Sequence, residues 1–326
     1  MKEKIITKKI LKWYDLNKRS LPWRKKVSLE RKQYYTLISE FMLQQTQVST
    51  VIPFFNRFIK SLPSLNSLAK VNEKKLIKLW EGLGYYSRAR NLKKTAQVVI
   101  KNFDGKLPNN FEDLLKLPGI GNYTANAILA IAFNKPYIPL DGNIERVLKR
   151  YLYLKKEKEI QKDNLVQKKI IFGTTLRSGD YAQALMELGA IICKPNNPIC
   201  DKCPIKKKCK SYKKKDFSLT KSIKKNKDKY FILKVYKKDQ RYLLIKNTKF
   251  NFLKNLSIFP MKELSNPKNF NENLNFKLSN MNMNIKIQYS KDSQKFPFSY
   301  WLDKKKFNSY MLPSFTKKVV QYLEKN

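Results

Sequence analysis

The sequence predicts a mainly α-helical N-terminal region that ends in a cysteine loop, followed by a smaller α+β domain. Apolar residues recur at helical spacing from Lys8 to about Ile192. All four cysteines lie between Cys193 and Cys209. Beyond a lysine-heavy stretch, the pattern changes at Tyr230 to runs of β-branched and aromatic residues. A chain of 326 residues is longer than most single domains, and either half is long enough to bury a core.

Within the first half, Tyr35, Ile38, Met42 and Leu43 share one face of a helix, as do Leu92, Ala96, Val99 and Ile100. Turn signals interrupt the pattern at Leu62-Pro63, Gly82-Leu83-Gly84, Asn102 to Pro108, Pro118 to Gly121 and Pro139 to Gly142. Short helices joined by tight loops follow. Lys213-Lys214-Lys215 and Lys224-Lys225 mark a basic linker over 211–229 between domains at 1–210 and 230–326. In the second domain, Tyr230 to Tyr236, a polar turn around Asp239, and Tyr242 to Ile245 predict a β-hairpin. Ser314 to Glu324 predicts a closing helix.

Lys and Arg number 69 against 25 acidic residues, a formal charge of +44. Such a field attracts a polyanion, although an AT-rich genome would give the same excess of Lys, Asn and Ile. Charge alone supplies no chemistry. Met1 to Ile10 is basic but lacks the apolar core of a signal peptide, and no later segment reads as a membrane span. A cytoplasmic protein in a reducing compartment, without a membrane partner, is expected.

Cys193, Cys200, Cys203 and Cys209 follow the spacing C-x6-C-x2-C-x5-C, with prolines at 195, 198 and 204 stiffening the loop. Clustered soft thiolates are metal ligands. Zinc remains an alternative, but zinc modules usually present two close pairs separated by a longer finger. One compact wrap better suits a [4Fe–4S] cluster.

Leu117-Pro118-Gly119-Ile120-Gly121-Asn122-Tyr123-Thr124-Ala125 places two glycines between a helix ending near Lys116 and one starting near Asn122. Glycine admits a ligand close to the backbone, and amides at a helix N-terminus bind phosphate without side-chain charge. An ordinary interhelical turn is the alternative. Farther along, Pro139-Leu140-Asp141-Gly142-Asn143 places Asp141 where it caps the next helix.

The cysteine spacing, the hairpin and the downstream aspartate together resemble the endonuclease III superfamily of helix-hairpin-helix DNA glycosylases. Three further strings are similar to its adenine DNA glycosylase (MutY) branch: Leu21-Pro22-Trp23-Arg24, Ser39 to Val48, and Gly82 to Leu92. That resemblance implies a six-helix lobe at about 25–135 and an iron–sulfur lobe at about 136–210 completed by the N-terminal helix. It further implies a [4Fe–4S] cluster on the four cysteines that positions a basic loop on DNA. The implied monomeric, monofunctional base-excision enzyme hydrolyses the N-glycosidic bond of adenine paired with 8-oxoguanine or guanine in duplex DNA.

The same resemblance assigns Glu40 as general acid, with Phe41 and Met42 predicting its partial burial, and Asp141 as the anion that stabilises an oxocarbenium-like sugar. Read alone, Glu40 is a surface helix residue. Arg24, Tyr123, Asn143 and Glu187 match positions around the extruded adenine and sugar. Pro118, Gly119 and Gly121 match the phosphate-binding hairpin. Gln45, Thr46 and Tyr85 match the plugs and wedge that base flipping needs. Bifunctional relatives carry a Schiff-base lysine where Tyr123 stands, and a phenol forms no imine.

For 230–326 the resemblance implies a Nudix-like domain that recognises 8-oxoguanine. Phe296 to Leu302 resembles the family's Phe-Ser-His loop, giving Ser299 and Tyr300 as DNA contacts, with Tyr300 in place of the histidine. A buried strand is the alternative for Phe298 and Trp301. Scattered acids such as Asp239, Glu263 and Glu272 form no metal cluster, so this domain binds and does not cut. Two rival readings remain: an endonuclease III-like enzyme for oxidised pyrimidines, and a non-catalytic iron–sulfur DNA-binding protein.

Overall fold

The computed structural model describes the chain apart from residues 1–3, 157–158, 160–164, 166–167, 219–226, 266, 268, 279–280, 291–295, 308–309, 311 and 326. Lys224-Lys225 and the rest of 219–226 within the basic linker lie outside the described residues. The chain forms two compact units: Met1–Glu73 with Ser87–Lys221, and Lys74–Tyr86 with Ser222–Asn326.

The first unit is helical. It contains α1 (Ile5–Asn17), α2 (Leu29–Leu43), α3 (Val48–Ser61), α4 (Leu65–Lys70), α6 (Ser87–Asn102), α7 (Phe111–Leu115), α8 (Asn122–Ile131), α9 (Gly142–Leu152), α10 (Ser178–Glu187) and α11 (Lys210–Lys213). Helix α5 (Glu73–Trp80) falls almost wholly in the second unit. Helix α2 packs against α3, α6 and α8, burying Leu37, Ile38, Phe41 and Met42. A second core joins Ile10, Tyr14, Ile144, Leu148, Phe172, Leu185 and Leu188, with Cys193, Cys203 and Cys209 packed against it. The cysteine loop therefore rests on a preformed apolar base.

Caps fix where the helices begin. Ser28 accepts the Arg31 amide at the start of α2, Asn110 accepts the Asp113 amide at α7, and Asp141 accepts the Ile144 amide at α9. Each cap satisfies an amide that the first helical turn would otherwise leave orphaned.

The second unit carries two sheets, ordered β5–β1–β7–β6 and β2–β3–β4, with β8 also on β3. The strands are β1 (Lys227–Val235), β2 (Lys237–Lys238), β3 (Arg241–Lys246), β4 (Ser257–Ile258), β5 (Met261–Leu264), β6 (Leu274–Leu278), β7 (Met281–Tyr289) and β8 (Ser299–Asp303). Helix α12 (Ser314–Leu323) closes the unit. Phe231, Leu244, Ile258, Phe259, Ile285, Phe315 and Val319 form its core.

The expected hairpin is corrected. β1 runs parallel to β7 and antiparallel to β5, and β3 pairs locally only with the two-residue β2. Local propensity identifies both strands, but both edges of β1 are taken by strands distant in sequence. Phe298 and Trp301 are not buried strand residues either: they are 70% and 38% exposed.

Candidate active site

Glu40 occupies the C-terminal half of α2, where nearly every position is buried. The carboxyl is itself buried, and its Oε2 has no hydrogen-bond partner among the described residues. Burial pushes Glu40 up to about 7; a hydrogen bond from Tyr123 and the positive Arg24 oppose that rise, and the negative Asp141 adds to it. Burial also raises the Tyr123 phenol well above its ordinary value, reinforced by Glu40 and Asp141. Thus α2, α8 and the segments bearing Arg24 and Asp141 converge on one carboxyl.

Asp141 behaves differently although burial raises it as well. Its Oδ1 accepts the Ile144 amide at 2.7 Å and its Oδ2 accepts the Asn143 side chain at 2.9 Å. These donors, with Arg146 beyond them, favour the anion. The two carboxyls are placed differently: both oxygens of Asp141 accept N–H donors, whereas Glu40 is raised to about 7 with one oxygen left without a partner among the described residues.

Arg146 anchors this arrangement. Its guanidinium donates to Asn143 Oδ1 at 2.8 Å, Gly189 O at 2.7 Å and Cys193 O at 2.7 Å. Gly189 lies in a π-helical turn, Leu188–Ile192, and a Cβ there would sit 2.5 Å from the Asn143 Cβ. Only glycine allows that approach.

Glu187 ends α10 fully buried, not as a surface charge. It takes two hydrogen bonds from Arg19, at 2.8 and 2.9 Å, and forms an ion pair with Arg24 Nη1 at 2.8 Å. Arg24 is thereby shared between Glu187 and the field around Glu40.

The hairpin between α7 and α8 leaves Gly119 and Gly121 exposed, with Pro118 partly so. Gly119 has φ +82, and a Cβ there would lie 2.9 Å from both Asn91 and Phe41. Gly121 precedes α8 without a side-chain cap, and open space surrounds its missing Cβ. The first amides of α8 therefore face outward, as an anion site requires. Beside them, Gln44 Nε2 reaches Gly119 O and Thr124 Oγ1, each at 3.5 Å.

Gln45 is exposed with φ +57. Arg88, buried beneath this loop, donates to the carbonyls of Phe41, Met42 and Gln44 at 3.1, 2.8 and 2.5 Å, and to Thr46 Oγ1 at 3.2 Å. Arg88 and Arg19 escaped sequence reading because nothing in their local strings distinguishes a buried guanidinium from a surface one.

Cys193, Cys200, Cys203 and Cys209 are half-buried and form no disulfide, and each of the last three feels the charge of Cys193. Arg150 donates to Cys193 Sγ at 3.5 Å. Burial pushes the Cys203 thiol up to about 12, so its thiolate form needs a cation. Among the described residues, no three His, Cys, Asp or Glu side chains converge as one metal ion requires. A tetrahedral zinc would draw its sulfurs to within about 3.8 Å of one another, given Zn–S bonds of about 2.3 Å. The donor set is four soft thiols on one short loop.

Three predicted contacts lie in the second unit. Tyr85 is 40% exposed with φ +46. Ser299 is exposed at the start of β8, and the half-buried Tyr300 shares a hydrogen bond with Ser257 Oγ at 2.6 Å.

Comparison with known proteins places this geometry. A family model of HhH-GPD superfamily base excision DNA repair proteins matches residues 38–170, a span that holds Glu40, the hairpin and Asp141. The chain is 38% identical over 271 residues to the adenine DNA glycosylase of Buchnera aphidicola subsp. Schizaphis graminum, covering 78% of this chain and 74% of that one. The chain belongs to the adenine DNA glycosylase family. Against the adenine DNA glycosylase of Buchnera aphidicola subsp. Baizongia pistaciae it is 45% identical over 206 residues, spanning 62% of this chain and 57% of that relative. A solved thermostable thymine-DNA glycosylase aligns with TM-score 0.58 and 29% identity, over 64% of this chain and 96% of its own. The fold is that of helix-hairpin-helix glycosylases with an α+β C-terminal region. Among the described residues, no helix is long and apolar enough to cross a membrane.

Proposed function

We propose that this chain is a monofunctional base-excision-repair adenine DNA glycosylase that hydrolyses the N-glycosidic bond of adenine opposite 8-oxoguanine or guanine in duplex DNA. The observation that carries this reading is the pairing of Glu40, buried and raised to about 7, with Asp141, held by two N–H donors.

Adenine leaves poorly as an anion. Glu40 donates a proton to N7 of the extruded base, and the C–N bond breaks with its electron pair going to the neutral base. Asp141 stabilises the cationic sugar. Water then attacks C1′, and its proton passes to the Glu40 carboxylate, restoring the acid. Tyr123 stands where a Schiff-base lysine would act and forms no imine, so strand cleavage is not part of the cycle. Arg24, Asn143 and Glu187 are assigned to the surroundings of the extruded adenine and its sugar, and the Pro118–Gly121 turn with the α8 amides holds a DNA phosphate.

The four cysteines would hold a [4Fe–4S] cluster, whose contribution is structural. Fixing that loop positions Lys206, Lys207 and Lys208 to meet phosphates. The second unit is assigned as a Nudix-like domain that reads the base opposite adenine through Ser299 and its neighbours. A monomer acting on duplex DNA in the cytoplasm completes the reading. The test is release of free adenine from a labelled duplex by the wild type and by Glu40→Gln; release undiminished in the variant overturns the mechanism.

A further inference from the structure

The segment Lys74–Tyr86 lies within the helical half of the sequence but forms one compact unit with Ser222–Asn326. Trp80 Nε1 at the end of α5 donates to Gly84 O at 3.1 Å. Gly82, Gly84 and Tyr85 have φ of 109°, 69° and 46°, so a tight turn aims the exposed Tyr85. Glu81 lies in this turn with a side chain 15% exposed and pairs with Lys78 at 2.9 Å and with Lys317 of α12.

From α12 the contacts continue. Thr316, beside Lys317, donates from Oγ1 to Ser257 O at 2.8 Å, and Ser257 Oγ meets the Tyr300 hydroxyl. A continuous polar path thus runs from the Ser299–Tyr300 segment, through β4 and α12, to the turn that presents Tyr85. Lys78 belongs to the same local segment as Glu81, so losing Lys317 would leave Glu81 paired within its own segment but remove this ion pair to α12.

We propose that Glu81 and Lys317 are positioning residues that couple the Ser299–Tyr300 segment to the Tyr85 turn, so that reading the base opposite adenine controls entry of Tyr85 into the duplex. This rests on the adenine-glycosylase reading above. Tyr300 serves the path through Ser257, and base contact falls to Ser299.

The test uses the full chain with Lys317→Met, Glu81→Gln and the double variant. Lys304→Met, which removes an ion pair to Glu324 at the C-cap of α12, at 3.1 Å, is the control. Two quantities are measured: amide hydrogen exchange over residues 82–86 in the free protein, and the single-turnover rate for adenine opposite 8-oxoguanine divided by that opposite guanine. Both single variants should speed exchange and lower the ratio about fivefold. The double variant should lose no more than either single, and Lys304→Met should match the wild type. Unchanged exchange and an unchanged ratio in both singles overturn the coupling. If the wild type releases adenine from neither duplex, the enzymatic reading fails by itself, and exchange alone then decides the coupling: faster exchange in both singles supports it, unchanged exchange overturns it.

Discussion

The Tyr123 hydroxyl hydrogen-bonds to Glu40, while Oε2 of the same carboxyl is buried without a partner among the described residues. One oxygen is restrained and the other is left for a proton or a ligand. Because Glu40 must donate its proton, excision should fall as pH rises through about 7. The Tyr123 bond favours the carboxylate, so Tyr123→Phe should move the falling limb to higher pH. Single-turnover rates of both proteins from pH 5.5 to 8.5 check this; a limb that moves down contradicts it.

The same burial has a stability consequence. A carboxyl that holds its proton more tightly folded than unfolded contributes stability below its unfolded value of 4.5, and that contribution is lost as pH rises through about 7. The gap corresponds to roughly 3 kcal/mol. Glu40→Gln should therefore melt progressively higher than the wild type as pH rises from 5 to 8, while excision falls by about 10²- to 10⁴-fold. Thermal melts at both pH values, beside excision assays, separate the two effects.

Asp141→Asn separates capping from catalysis. Asparagine caps helices about as well as aspartate, so α9 should lose at most about 0.5 kcal/mol. The anion that faces the sugar is nevertheless gone, and excision should fall at least about 100-fold. Circular dichroism melts and single-turnover rates measure the pair. Large unfolding with the rate preserved would show that Asp141 is only a cap.

These expectations were partly legible in the chain. The helical half, the capping role of Asp141 and the α7–α8 turn follow from spacing, glycine placement and cap chemistry, all local signals. The charge of the site was not. That Glu187 is fully buried between Arg19 and Arg24 depends on the fold bringing residues 168 apart into contact. Arg88 beneath the Gln45 loop and Ser257 beneath Tyr300 have no periodic signature, since each is defined by carbonyls or hydroxyls supplied from elsewhere. The strand pairing of β1 failed for the same reason: nonlocal neighbours outcompeted the adjacent β3.

The cysteine loop makes a compositional prediction. The purified protein should be brown and carry about four iron atoms per chain. Cys203→Ala, which removes a sulfur packed against the second core, should lose iron and weaken DNA binding. Metal analysis and binding titrations at fixed salt check both, and a colourless protein with one zinc per chain would contradict the cluster.

The most direct test of the central claim is single-turnover treatment of three duplexes, holding adenine opposite 8-oxoguanine, adenine opposite guanine, and thymine glycol, each with and without alkali. The account predicts adenine loss, fastest opposite 8-oxoguanine, with strand breaks only after alkali. Reaction at thymine glycol alone, with breaks formed before alkali, would contradict it.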